Sequence, residues 1–412
     1  MKHLVSNDEY WFNVLFALVP TSLLFSPAAS SILLFVLVFW SIINFFFLEK
    51  LPLELPLGYK VLFCFYFLFL ILHITSLFYT EDISRAFSLL RKRVPLLLIP
   101  VIFYMNFKYI DFKTLLKTYV YVVLAAAIFT IFNSFYSIYL NNESLETFFT
   151  YYLRYFYISF MPYEMHPSYF GILLCSSLAV LLNNTVKSIT LSVLFCVILV
   201  FNIYLISSQM ITFICIMLFL FFILKKAKEF FNKVLYKSFL ILLLILSLIL
   251  VFNGKFVTKA IVNIFEIHNN SNIFYRASHF FEQGDITRRK NWESAYNVIN
   301  DNLIFGVGIG DGINEMQKFR EKRTWIYTAR LNAHNQFLEE LVHFGIIGFV
   351  CFISLLFIVF YLSKEDLFHL SIFFILFCIM FTESILNRQV GVIVFSFLMS
   401  FLVFNNLNKI ND

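Results

Sequence analysis

Runs of about twenty apolar residues, parted by short polar loops, recur along almost the whole chain, and nothing else in the sequence constrains its fold as strongly. Sixty per cent of the 412 residues are hydrophobic and only 14% are charged. The excess is bulky, with 57 Phe. A water-soluble chain of this length could not bury so much apolar surface, whereas one that spans a bilayer has no need to. The expected class is therefore all-α: a polytopic transmembrane helical bundle.

About twelve spans can be read, near 10–26, 29–48, 59–78, 86–105, 114–139, 167–184, 188–206, 209–224, 238–253, 336–362, 367–384 and 389–406. The segment at 86–105 opens with the amphipathic stretch Arg85–Arg93, which could also lie in the membrane interface. Met1–Tyr10 lacks the basic stretch, short apolar core and cleavage site of a signal peptide, so the first apolar run is read as a retained span. Three regions follow: an N-terminal transmembrane bundle over 1–253, a large polar loop over 254–335 between spans 9 and 10, and C-terminal transmembrane helices over 336–412. All six Cys lie inside apolar stretches, as small buried hydrophobes do, and no disulfide framework or metal-ligand spacing is present.

The net charge of +6 is spread over short inter-span loops, which membrane topology explains better than a nucleic-acid partner. Placing Lys50, Lys60, Lys108, Lys113, Lys117, Lys187, Lys364 and the run Lys225–Lys237 inside puts both termini in the cytoplasm. The 254–335 loop is then extracytoplasmic, and its composition predicts a small helical cap. Every Arg falls on the predicted outer side: 85, 91, 93, 154, 276, 288, 289, 320, 323, 330 and 388. Positive-inside topology needs charge, not Arg in particular. A guanidinium suits planar, two-pronged contacts to phosphate or carboxylate, so this bias points to an anionic ligand outside.

Three constellations could carry chemistry there. Residues 288–300 place Trp292, Ala295, Tyr296 and Ile299 at helical spacing, which predicts an amphipathic helix lying on an apolar surface. The turn Gly306-Val-Gly308-Ile-Gly310-Asp311-Gly312 follows a helix and not a strand, so its role is conformational and not that of a nucleotide loop. His334, in Asn332-Ala-His-Asn335, stands where a polar loop meets a span, with Arg330 one turn away. Imidazoles exchange protons near neutral pH, so a histidine here could serve as a general base. His166, in His166-Pro-Ser-Tyr169, holds a similar place at the foot of another span, while His3, His73, His268, His279, His343 and His369 read as structural. Finally, Thr382-Glu383-Ser-Ile-Leu-Asn387-Arg388-Gln389-x-Gly391 forms the outer turn between the last two spans and returns Glu383 and Arg388 to the level of His334.

Taken in order, Arg288-x3-Trp292, the Gly-x-Gly turn before Asp311, Ala-His-Asn-Gln-Phe-Leu, Gly345-Ile-Ile-Gly348 and the Glu383-x4-Arg388-x2-Gly391 turn resemble the O-antigen ligase family, which includes O-antigen polymerases and protein O-oligosaccharyltransferases. The likeness is sharpest over 284–391. His166-Pro-Ser-Tyr and Phe78-Tyr-Thr-Glu-Asp82 resemble weaker upstream features of the family. The resemblance implies a metal-independent glycosyltransferase without cofactor, in a bacterial inner membrane, with its active site facing the periplasm. Its donor would be a glycan on undecaprenyl pyrophosphate and its acceptor a glycan or lipid A–core. The family's loop His falls on His334 and the Arg of its Arg-x3-Trp pattern on Arg288. Where many members have Ser-Arg at a span start, Ser207-Ser208-Gln209 stands here, so one phosphate contact is missing or comes from Arg154 or Arg91. Further substrate-binding candidates are Arg289, Arg330, Arg388, His166, Asn335, Trp292 and Glu383. The alternatives are a repeat-unit polymerase and, in another class, a small-anion transporter. Against the transporter, the spans show no charged residues at mid-membrane depth and no paired Gly/Pro breaks.

Overall fold

A computed structural model describes residues 7–47, 55–142, 165–183, 188–206, 208–230 and 286–411, and all regular structure among them is helical. In chain order the helices are α1 Asn7–Thr21, α2 Pro27–Phe47, α3 Leu57–Thr75, α4 Ile83–Met105, α5 Phe112–Leu140, α6 Pro167–Leu182, α7 Ile189–Ile206, α8 Gln209–Phe230, α9 Ile286–Asp301, α10 Gly312–Lys318, α11 Trp325–Thr328, α12 Gln336–Ser363, α13 Leu367–Ile379 and α14 Gln389–Asn411. Seven are long and apolar enough to cross a membrane: α2, α3, α5, α7, α8, α12 and α14. Helices α6 and α13 are apolar but shorter. The chain is thus a multi-pass helical membrane protein. The segment expected at 238–253 and the first part of the 254–335 loop lie outside the described residues.

Each expected segment that is described holds a helix, with two boundaries moved for local reasons. Helix α1 stops at Thr21, just after Pro20, where the chain tightens into a 3-10 turn over Ser22–Leu24. Helix α13 stops at Ile379, not near 384, because Met380–Arg388 is used to build a polar turn. Helix α4 is one continuous element from Ile83, capped by Asp82, whose Oδ1 accepts the Arg85 amide at 3.0 Å.

The chain forms two compact units, one joining residues 1–122 to 287–412 and the other holding 123–286. This grouping differs from a division in chain order, since the described part of the polar loop packs with the N-terminal and C-terminal helices. In the first unit α14 is the axis. It is apolar on all faces, and 89% of its span window is buried against neighbours that include α1 and α4. The abundant Phe becomes close aromatic packing: Phe103 stacks on Phe404 at 5.4 Å, and Phe16 contacts both Phe103 and Phe397. In the second unit α6 is buried along its length against α7 and α8, and Thr130 donates to Asn202 at 3.0 Å.

Candidate functional site

Two stretches 230 residues apart in sequence meet at Asp311. Its carboxylate accepts the Thr80 hydroxyl (2.9 Å) and the backbone amides of Glu81 (2.6 Å) and Asp82 (2.8 Å). The Gly310 amide returns a bond to Thr80 Oγ1 at 3.1 Å. A carboxylate accepting three donors is a strong, directional clamp. It fixes the foot of α4 against the Gly-rich turn. Gly308 lies at φ +88°, where a Cβ would stand 2.8 Å from that of Thr80. The turn is therefore conformational, as expected, and the neighbour it must approach is Thr80.

The same turn repairs a break in α12. Gly345 has φ +60° and ψ −158° inside that helix, and a Cβ there would meet the Ile304 carbonyl at 2.3 Å. The break frees the carbonyls of Val342 and His343, which accept the amides of Val307 and Gly308, both at 2.9 Å. Ile346 N–H donates to Leu303 O at 2.8 Å. Within a bilayer every such group needs a protein partner, so Gly-Ile-Ile-Gly and the Gly-x-Gly turn form one folding unit.

His334 sits just before α12 with φ +48°, a left-handed backbone rare for a residue with a side chain. Asn335 provides the cap: its Oδ1 accepts the amides of Phe337 (2.9 Å) and Leu338 (3.1 Å). The Asn332 side chain accepts the His334 amide at 3.1 Å. These bonds hold the imidazole, which is partly exposed, with Nδ1 3.7 Å from Oε2 of the nearly buried Glu383. That distance exceeds a hydrogen bond and lies within ion-pair range when the ring is protonated. The structure thus brings together His334 and Glu383 and gives Asn335 a structural task.

Beneath this pair lies a polar network that sequence reading missed. Glu339 is buried; its Oε2 accepts the Ala333 amide and the Ser384 hydroxyl, both at 3.0 Å, while Oε1 accepts the Asn387 amide and lies 3.5 Å from His343 Nε2. It therefore ties the His334 loop to the turn that carries Glu383. Gln336 donates to Glu340 (2.6 Å) and accepts from Leu386 N–H (2.8 Å). Arg93, also buried, donates to Leu386 O (3.1 Å), Asn387 Oδ1 (3.0 Å) and His73 Nε2, with its charge balancing Glu340 and Glu339. Since Arg can only donate, His73 accepts at Nε2 and gives its Nδ1 proton to Phe69 O at 2.6 Å. Charged residues thus do lie inside the bundle, but in a bonded set that fixes the turn. Two glutamates opening an otherwise apolar span were the available signal.

The cationic side chains gather nearby. Lys92 is within electrostatic reach of Arg85, Arg91 and Arg388, and Arg85 within reach of Arg330, Glu339, Asp82 and Asp311. Arg91, Arg330 and Arg388 are exposed, and Arg330 also donates to Asn314 Oδ1. Arg85 and Lys92 were not singled out in the sequence because they read as loop and interface charges. Arg288 and Arg289 lie in the first turn of α9, where Arg289 pairs with Glu293 at 3.6 Å on the exposed face. Arg154 lies outside the described residues. His166, in the other unit, caps α6: its Nδ1 accepts the Ser168 amide at 3.4 Å.

One expectation is corrected in part. Of the four residues expected on the buried face of α9, Ala295 and Ile299 are buried, together with Asn291, Ser294 and Val298, whereas Trp292 (38% exposed) and Tyr296 (66%) do not pack down. Ala295, Val298 and Ile299 share an apolar core with Ile313, Met316, Ala333 and Val342.

No curated protein matches the chain. Residues 172–353 match the sequence model of the family described as O-Antigen ligase, a span that takes in the Gly-rich turn, His334, Glu339 and the Gly345 break. Over that span, which is less than half of its length, the chain is similar to the O-antigen ligase family.

Proposed function

We propose that this chain is an O-antigen ligase-type glycosyltransferase that moves a glycan from undecaprenyl pyrophosphate to an acceptor hydroxyl of lipid A–core. The observation that carries this reading is the pairing of a partly exposed His334 with Glu383 beside a cluster of Arg and Lys, within a chain that matches this family. The chain would cross a bacterial inner membrane about twelve times, with residues 254–335 as a periplasmic cap between spans 9 and 10. Lys in the predicted inner loops and Arg in the outer ones support that sidedness.

In this mechanism the acceptor hydroxyl attacks the anomeric carbon of the donor sugar. The new glycosidic C–O bond forms as the bond to pyrophosphate breaks. His334 takes the hydroxyl proton, Glu383 holds the ring and stabilises the imidazolium, and undecaprenyl pyrophosphate departs with the electron pair. A positioned base contributes about 10²–10⁴-fold. Arg85, Arg91, Lys92, Arg330 and Arg388 would stabilise charge growing on the pyrophosphate, with Arg288 and Arg289 of α9 as further ligands. Fixed side chains and an already activated donor supply all that the step needs, so the transfer is proposed to be independent of metal.

The test is a purified assay with lipid-linked glycan, lipid A–core and chelator. Wild-type protein should form glycosylated lipid A–core, and His334→Ala should not. Elongation of the donor glycan instead of lipid A–core modification would make the chain a polymerase, and no transfer by wild type to either acceptor would end the enzymatic reading.

A further inference from the structure

The cap contains a polar cavity of about 230 Å³ to which the proposed transfer assigns no task. It is lined by Lys290, Glu293, Ser294 and Asn297 of α9 and by the stretch from Phe319 to Ile326. None of the residues around His334 contributes to it. Arg320 forms part of its wall, and that side chain is unusual. It is only 7% exposed, and neither Nε nor Nη1 has a hydrogen-bond partner. Nη2 meets only the Met316 sulfur, at 3.8 Å. The two carboxylates on the cavity wall are paired with other cations, Glu293 with Arg289 at 3.6 Å and Glu321 with Lys290 at 3.8 Å, and keep oxygens open to further donors. Burial lowers the Arg320 pKa to about 10, against the pull of Glu339, so the guanidinium stays charged at neutral pH.

A buried guanidinium with unmade bonds is expensive, and the cost falls away when an oxyanion supplies the acceptors. The rest of the wall narrows the choice of ligand. The Ser294 and Thr324 hydroxyls, the Asn297 amide and two carboxylates suit a ligand with many hydroxyl groups. Phe319, 43% exposed, offers a ring against which a sugar face can lie. A lipid tail would waste these polar groups, and a bare anion would leave the Phe319 ring and the acceptors on the wall unused.

We propose that this cavity is a saccharide subsite that takes an anionic sugar residue of the glycan substrate, with Arg320 binding its carboxylate or phosphate. The inference rests on the glycan-transfer reading for its choice of substrate but not for its test. Purified full-length protein would be titrated with glucuronate, galacturonate and glucose 6-phosphate, and with glucose and galactose as neutral controls, by saturation-transfer NMR without any lipid-linked donor. At least one anionic sugar should bind, the uronate and phosphate arms telling which oxyanion is preferred. Neutral sugars should bind at least tenfold more weakly, and Arg320→Gln should abolish the difference. Because Arg320→Gln could disturb the cap, Asn297→Ala, on an exposed wall position, provides a second reading and should weaken the same ligand severalfold. Equal binding of charged and neutral sugars, no binding by any of them, or anionic-sugar binding indifferent to both substitutions would overturn the site. Anionic-sugar binding that depends on Arg320, in a protein that transfers nothing, would leave the subsite standing while the transferase reading fell.

Discussion

The feet of α6 and α12 look alike in sequence, and the structure uses them differently. Each brings a His to the start of an apolar helix. At α6 the imidazole of His166 is itself the cap, with Nδ1 taken up by the Ser168 amide. At α12 the next residue, Asn335, caps two amides, and the ring of His334 is left to face Glu383 from a left-handed backbone. One histidine terminates a helix; the other is held off it by a neighbour that does that work. A strained residue kept in place by surrounding bonds is a mark of function, whereas a relaxed cap is not.

This contrast can be broken in order of expected effect. The largest should be His334→Ala, which is expected to lower glycan transfer by about 10²–10⁴-fold with little change in thermal stability. Next comes Glu339→Ala, which strips acceptors from Ala333, Ser384 and Asn387 and leaves Arg93 under-balanced; about 3–5 kcal/mol of stability should go, read as a lower melting temperature. Asn335→Ala should cost about 1 kcal/mol of stability as the cap is lost, with a severalfold fall in kcat as His334 loosens. The smallest effect should come from His166→Ala, which removes a long cap bond to Ser168 and a ring contact to Tyr169 and should leave transfer within about twofold of wild type and stability within about 1 kcal/mol. A loss of transfer at His166 equal to that at His334 would erase the distinction between the two feet.

Much of the fold was legible because apolar length is a strong signal, and each described segment chosen by hydropathy is helical. The site was legible only in part. His334 and Glu383 stood out as polar residues at span ends, and the Gly-rich turn announced a conformational need. Its partner did not: Thr80–Asp82 lies some 230 residues from Asp311, and no local pattern encodes a bond over that distance. Glu339 and Glu340 were hidden by the apolar run around them, and Arg93 read as one more charge of the amphipathic stretch Arg85–Arg93. On α9 the spacing rule favoured Trp292, Ala295, Tyr296 and Ile299 as the buried face; Ala295 and Ile299 do pack beside Ala333 and Val342, but the face turns toward Ser294 and Val298 and leaves the two aromatic residues exposed.

The central claim is that Glu383 acts through His334, and a double-mutant cycle on transfer tests it most directly. Glu383→Gln alone should lower kcat by roughly 10²-fold, because the ring loses its orienting charge. If the account is right, adding Glu383→Gln to His334→Ala should cost nothing further, since residues that act as one unit are not additive. If the two losses multiply instead, Glu383 works independently of His334, and the base–orienter pair proposed here is wrong.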